Sequence, residues 1–138
     1  MNYVLGFMFS VDLQRVALIR KAKPEWQKGR LNGIGGKIEE GEMPIDAQVR
    51  EFREETSYLF TTWFPFCVVH VPRREVDTVY CFCARGNLKC LATTTEEPIV
   101  ICSSDCLPED TIENLPWLVA LAIDHLEDGK PQKVEVFY

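Results

Sequence analysis

The 138-residue chain has no excess of positive charge: 15 Lys and Arg stand against 21 Asp and Glu, a formal net charge of −6. Proteins that grip nucleic-acid polymers neutralise phosphates and run basic, so no nucleic-acid polymer is expected as a partner. No apolar run approaches the roughly 18–20 residues that a membrane span needs, so no membrane partner is expected either. The first residues, Met1 to Gly6, lack the basic stretch that precedes the apolar part of a signal peptide. The six cysteines (Cys67, Cys81, Cys83, Cys90, Cys102 and Cys106) form no C-x-x-C pair, and no His stands near them at zinc-site spacing. Reduced thiols in a cytoplasmic protein are the expectation. There is no internal repeat, low-complexity segment or linker, and the length is that of one domain, residues 1–138. A hydrophobic content of 46% with 26% charged residues excludes an intrinsically disordered chain.

What charge there is, is unevenly placed. Residues 1–35 hold six bases and two acids, residues 36–58 three bases and seven acids, and residues 91–129 nine acids and no base. A basic lobe beside an acidic stripe suits an anion on one side and metal cations on the other, although a solvated surface also clusters charge by chance.

Tyr3 to Phe9 and Arg15 to Arg20 read as strands, joined by a turn near Asp12. Leu31 to Ile38 contains three glycines in eight residues, a strand or loop where backbone approaches something closely or takes positive φ. Pro44 is suited to opening a helix, and Ile45, Val49, Phe52 and Thr56 then recur at helical spacing as a core face. Thr61 to Val71, Asp77 to Ala84 and Ile99 to Cys102 read as strands. Leu115 to Leu126 reads as a buried helix stopped by Gly129, with Lys133 to Tyr138 as a final edge strand. Strands on both sides of one helix, with a second helix late in the chain, predict a mixed sheet sandwiched by helices.

The first helix carries Glu51, Glu54 and Glu55. At about 100° per residue they fall roughly 180–280° around from Ile45, opposite the expected core face. Glu51 and Glu55 are i,i+4 neighbours whose like charges cost a few tenths of a kcal/mol. An acidic outer face softened by Arg50 and Arg53 is one reading. Hard oxygen ligands for Mg²⁺ or Mn²⁺ are the other. The glycine-rich run just upstream, ending in Lys37, favours the second: exposed backbone, a cation and carboxylates would converge as a phosphate site does.

These residues carry a family pattern. Gly36, Glu42, Arg50, Glu51, Glu54 and Glu55 match G-x5-E-x7-R-E-U-x-E-E-x-G-U, U being bulky and apolar, at six fixed positions across Gly36 to Tyr58. The segment resembles the Nudix box. Phe52 and Tyr58 are aromatic where aliphatic residues are usual, and Ser57 replaces the second Gly, which puts the helix end in question more than the chemistry. Asn32-Gly33-Ile34-Gly35-Gly36-Lys37-Ile38-Glu39-Glu40-Gly41-Glu42 is similar to the corresponding run of MutT-type nucleoside triphosphate pyrophosphohydrolases, and Asn114-Leu115-Pro116-Trp117 to their base-contacting segment.

The resemblance implies an α/β/α sandwich with a mixed sheet between helices, and hydrolysis of a nucleoside diphosphate linked to another group with Mg²⁺ or Mn²⁺. Glu51, Glu54, Glu55 and the Gly36 carbonyl would hold metal. One of those carboxylates, or a distal acid at Glu96 or Glu97, would deprotonate water. Arg50 would orient the glutamates by ion pairing, and Glu42 would orient the box loop or help a metal site. Apart from the resemblance, Lys37 and one of Arg20, Lys21 or Lys23 would supply further positive charge to phosphates, unless the latter three are solvated loop residues. Asn32 and Asn114 would read a base edge, unless Asn32 is simply a turn residue and Asn114 a helix N-cap. His70 and His125 are expected to be structural, and Trp26, Trp63 and Trp117 to be core or rim residues.

The leading expectation is a MutT-like enzyme cleaving a nucleoside triphosphate, an oxidised purine deoxynucleotide such as 8-oxo-dGTP among the candidates, to monophosphate and pyrophosphate. The alternatives are cleavage of ADP-ribose, whose cleaving members resemble this chain in placing a proline near Pro72, of a nucleotide sugar or of a dinucleotide polyphosphate, and a non-catalytic nucleotide sensor. The partner is a small nucleotide, and the chain a monomer or homodimer.

Overall fold

The computed structural model describes residues 1–71, 78–129 and 134–138. The elements run β1 (Asn2–Phe9), β2 (Arg15–Arg20), β3 (Leu31–Asn32), β4 (Ile34–Lys37), α1 (Pro44–Thr56), β5 (Phe64–His70), β6 (Thr78–Arg85), β7 (Ile99–Ser103), α2 (Leu115–Asp128) and β8 (Val134–Phe137). Among the described residues no helix is long and apolar enough to cross a membrane. Pro72, Asp77 and Lys133 lie outside the described residues.

Among the described residues, eight strands join one mixed sheet, ordered β3-β2-β1-β6-β5-β8, with β4 paired to β1 and β7 to β2. β1 is its axis. It runs parallel to β6 along Asn2 to Phe9, while its other edge takes β4 antiparallel at Tyr3 to Gly6 and β2 antiparallel at Met8 and Phe9. β8 closes one end, parallel to β5.

The period-two alternation of strand side chains divides the core between the two faces. Leu5, Phe7 and Phe9 of β1, Val16 and Leu18 of β2, and Cys81 and Cys83 of β6 pack with Leu115, Leu118, Val119 and Ala122 of α2. Val4 and Met8, Ala17 and Ile19, and Phe82 and Ala84 pack on the opposite face with Ala47 and Phe52 of α1. The expected α/β/α sandwich with a mixed sheet between helices is therefore present. Each wholly buried Phe or Leu contributes about 1.5–3 kcal/mol relative to exposure, so these two faces carry the fold. The six cysteines are all free.

Pro44 occupies the first turn of α1, as expected, but the buried stripe of the helix differs from the expected one. Ala47, Gln48, Phe52 and Thr56 are buried, while Ile45 and Val49 are half-buried. The cause is Gly6. A Cβ there would overlap the Gln48 carboxamide, so the glycine opens a slot on β1 that admits a polar side chain. Gln48 Nε2 then donates to the Ile34 carbonyl at 3.2 Å. Centring the helix on Gln48 turns Glu51 and Glu55 toward the sheet, leaving Glu54 exposed.

Candidate active site

The glycine-rich run forms β4, and its glycines are steric requirements. A Cβ on Gly35 would overlap the Val4 carbonyl, and a Cβ on Gly36 would overlap the Glu51 carboxylate. The bare Gly36 backbone lets Glu51 of α1 lie directly against β4. This corrects the expected outward acidic face: the Glu51 side chain is only 14% exposed, against 58% for Glu54.

Arg50 organises the acids. Its Nε and Nη2 each lie 2.9 Å from the two Glu42 oxygens, a bidentate pair. Nη1 donates to Glu51 at 2.9 Å and reaches Glu54 at 3.4 Å, and Nη2 also donates to the Lys37 carbonyl at 3.0 Å. One guanidinium thus joins the box loop, β4 and the α1 carboxylates. The Arg50 hydrogen bonds pull the Glu42 carboxyl down to about 2 and raise the arginine in turn. Glu42 also accepts from the Glu39 amide at 3.1 Å, bracing the loop.

Burial raises the pKa of Glu51, with the Glu54 and Glu55 charges adding and Arg50 opposing. Burial likewise raises Glu55, and the Glu97 charge adds to it, while a hydrogen bond from Thr95 opposes the rise. An open groove of about 760 Å³ passes beside this cluster, lined by Lys37, Glu39, Glu42 and Glu51 among others. Lys37 therefore shares the groove with Glu51.

The helix end is settled by Ser57. It takes the left-handed conformation, φ 63° and ψ 9°, and its amide donates to the Arg53 carbonyl. Serine adopts the geometry for which the box pattern has glycine, and α1 keeps all its carboxylates.

Glu97 is buried. It is 5% exposed and accepts from Lys21 Nζ at 3.1 Å, the Ala22 amide at 2.7 Å and the Lys23 amide at 3.4 Å. Burial alone would raise its pKa, but the Ala22 amide and Lys21 overcome this and hold it below the usual value. Glu96 is exposed. Sequence spacing gave no sign of the Lys21–Glu97 pair, whose members stand 76 positions apart.

The remaining expected residues lie on neighbouring segments. Leu31 accepts Ile112 N–H at 3.0 Å and donates to the Asp110 carbonyl, which docks the segment before α2 onto β3. Asn32 is 8% exposed, donates to Gln27 at 3.2 Å and accepts its neighbour Gly33's amide at 2.8 Å. Asn114 stands at the N-cap position of α2, yet its side chain makes no cap bond there. Its Oδ1 instead accepts from the Tyr138 hydroxyl at 2.6 Å and Trp117 Nε1 at 3.4 Å. Arg20 is engaged by Asp110 and the Gly29 carbonyl, both at 2.7 Å. Trp63 is buried, Trp117 half-buried and Trp26 exposed. His70 stacks on Phe137 at 4.5 Å.

The donor set suits a hard divalent cation: Glu51 and Glu55, whose pKa values burial raises with neighbouring negative charge adding, and the bare Gly36 backbone beside Glu51. The side chains do not yet converge. Among the described residues no three His, Cys, Asp or Glu side chains surround one point, and Arg50 spans Glu51 and Glu54.

A family model described as NUDIX domain matches residues 3–131. The fold is similar to the Nudix domain of Shewanella oneidensis NrtR, crystallised with ADP ribose (TM-score 0.76, 18% identity, 91% of this chain and 88% of that one). It is similar to an ADP-ribose pyrophosphatase from Streptococcus suis (TM-score 0.74, 17% identity, 97% of both chains). A MutT Nudix hydrolase from Burkholderia pseudomallei also matches (TM-score 0.65, 19% identity, 88% of this chain and 98% of that one). No curated protein matches the chain at a significant level. With the family model spanning nearly its whole length, and with Arg50 joining Glu42, Glu51 and Glu54 beside Gly36, the chain belongs to the Nudix family.

Proposed function

We propose that residues 1–138 form a single Nudix unit that cleaves a phosphoanhydride in a nucleoside diphosphate-linked substrate. The favoured substrate is a nucleoside or deoxynucleoside triphosphate, 8-oxo-dGTP among them, with monophosphate and pyrophosphate as products. The observation that carries this reading is the packing of Glu51 on bare Gly36, with Glu54 and Glu55 on the same helix.

Glu51, Glu54, Glu55 and the Gly36 carbonyl would hold Mg²⁺ or Mn²⁺. Bound there, the cation would lower the pKa of water and offset charge on the phosphoryl oxygens. Arg50 orients Glu51 and Glu54, and through Glu42 it fixes the loop that leads into α1. Lys37, on the groove, offers positive charge to a phosphate. One of Glu51, Glu54 and Glu55 would accept the proton of the attacking water. Glu97, already bound to Lys21 and Ala22, is assigned a supporting role in place of general base. Asn32 and Asn114 would face the base, and Arg20 would act there through its pair with Asp110. The free cysteines agree with a cytoplasmic enzyme, monomeric or homodimeric.

A second reading keeps the site and changes the substrate to ADP-ribose or a nucleotide sugar. It is favoured by the likeness to the NrtR domain, whose structure contains ADP ribose, and to the S. suis pyrophosphatase. A Mg²⁺-dependent screen over dNTPs, 8-oxo-dGTP, ADP-ribose, nucleotide sugars and dinucleotide polyphosphates separates the two. Pyrophosphate release from a triphosphate supports the first, and turnover of ADP-ribose alone replaces it with the second.

A further inference from the structure

The segment between β6 and β7 is fastened to the carboxylate end of α1. The Ala92 amide donates to the Thr56 carbonyl at 3.0 Å, and the Thr94 hydroxyl donates to the Glu54 carbonyl. These bonds satisfy carbonyls that the end of a helix leaves without intrahelical partners. Thr95 goes further and touches a side chain. Its Oγ1 lies 3.0 Å from Glu55 Oε2 and accepts the Glu97 amide at 3.1 Å. A carboxylate offers no proton, so the hydroxyl hydrogen points to Glu55 while the oxygen lone pairs face the Glu97 amide. The direction of the relay is therefore fixed: Glu97 N–H to Thr95 Oγ1, and Thr95 O–H to Glu55.

The far end of the relay is anchored. Glu97 is locked to the residues just after β2 by Lys21 Nζ and the Ala22 amide. Thr95 itself is exposed and contributes nothing to the buried core. Its hydroxyl is in the position of a partner that aims a metal-binding carboxylate, and such partners typically govern affinity by about 10–100-fold.

We propose that Thr95 is a positioning residue for Glu55, presented by the Glu97–Lys21 anchor, and that it sets the affinity of the α1 carboxylates for a divalent cation. The inference rests on the proposed metal site. It is tested by Mn²⁺ binding to substrate-free full-length protein, read by electron paramagnetic resonance, with the melting temperature of each variant recorded without metal. Thr95→Val, which keeps the shape and removes the hydroxyl, is expected to weaken Mn²⁺ binding by about tenfold. Thr95→Ser is expected to remain within about twofold of the parent, because the relay is intact. Thr95→Ala, the smaller deletion, should follow Thr95→Val and serves should the valine variant fold poorly. Equal Mn²⁺ affinity in the parent and in folded Thr95→Val or Thr95→Ala overturns the positioning role and leaves the metal site standing. Absence of Mn²⁺ binding in the parent overturns both.

Discussion

Gly36 and Glu51 occupy adjoining space: the Glu51 carboxylate lies where any side chain on residue 36 would have to begin. This contact joins β4 to α1 at the site. Gly36→Ala must push Glu51 away or shift the strand, which is hydrogen-bonded to β1 at Val4. The expected result is at least about a tenfold loss of turnover, since small displacements of reacting groups are costly. Steady-state kinetics on folded Gly36→Ala, with circular dichroism as the folding control, checks it. Parent-like turnover would show that Glu51 is not needed in this position.

Ser57 ends α1 with a φ of 63°. Glycine takes this conformation without the steric cost that a Cβ brings. Ser57→Gly is expected to stabilise the protein by about 0.5–1 kcal/mol, with turnover within about twofold of the parent, because no carboxylate moves. Chemical denaturation measures the gain. A destabilised Ser57→Gly would contradict the cost assigned to this residue.

Glu42 and Arg50 make acid stability depend on pH. The Glu42 carboxyl falls from 4.5 to about 2 in the folded state. A lowered folded value means that this contribution is fully present above the unfolded value and is lost as pH falls through the folded one. Denaturation of the parent and of Glu42→Gln from pH 2 to pH 6 should give a stability difference that is steady above about pH 4.5 and shrinks toward pH 2. Glu51 and Glu55 have the opposite sign, since their raised values favour the folded state at lower pH and remove that advantage as pH rises. A constant difference between parent and Glu42→Gln across the range would rule out the Glu42–Arg50 coupling.

The layers of the fold were legible because β1, β2 and β6 are short apolar runs buried on both faces and α2 carries a start and a stop signal, Pro116 in its first turn and Gly129 with φ 60° at its end. The box residues were legible because their spacing is local: Arg50, Glu51, Glu54 and Glu55 lie within two helical turns. Gln48 escaped notice because a polar residue on a helix reads as outward-facing. Its burial depends on a slot at Gly6, a residue 42 positions earlier that only the sheet brings near. The same limit hid Thr95 and Lys21, whose partners come from other elements. Asn114 was recognisable as a helix-start residue, yet the capture of its side chain by Tyr138 depends on β8 returning beside β5.

The central claim is that the α1 carboxylates hold the cation on which cleavage depends. Turnover of Glu54→Gln at saturating Mg²⁺, on the best substrate of the screen, tests it most directly, because Glu54 is exposed and its replacement leaves the core untouched. The predicted result is a loss of at least about a hundredfold in a variant whose melting temperature without metal matches the parent. Turnover within a few-fold of the parent in that folded variant would contradict the account.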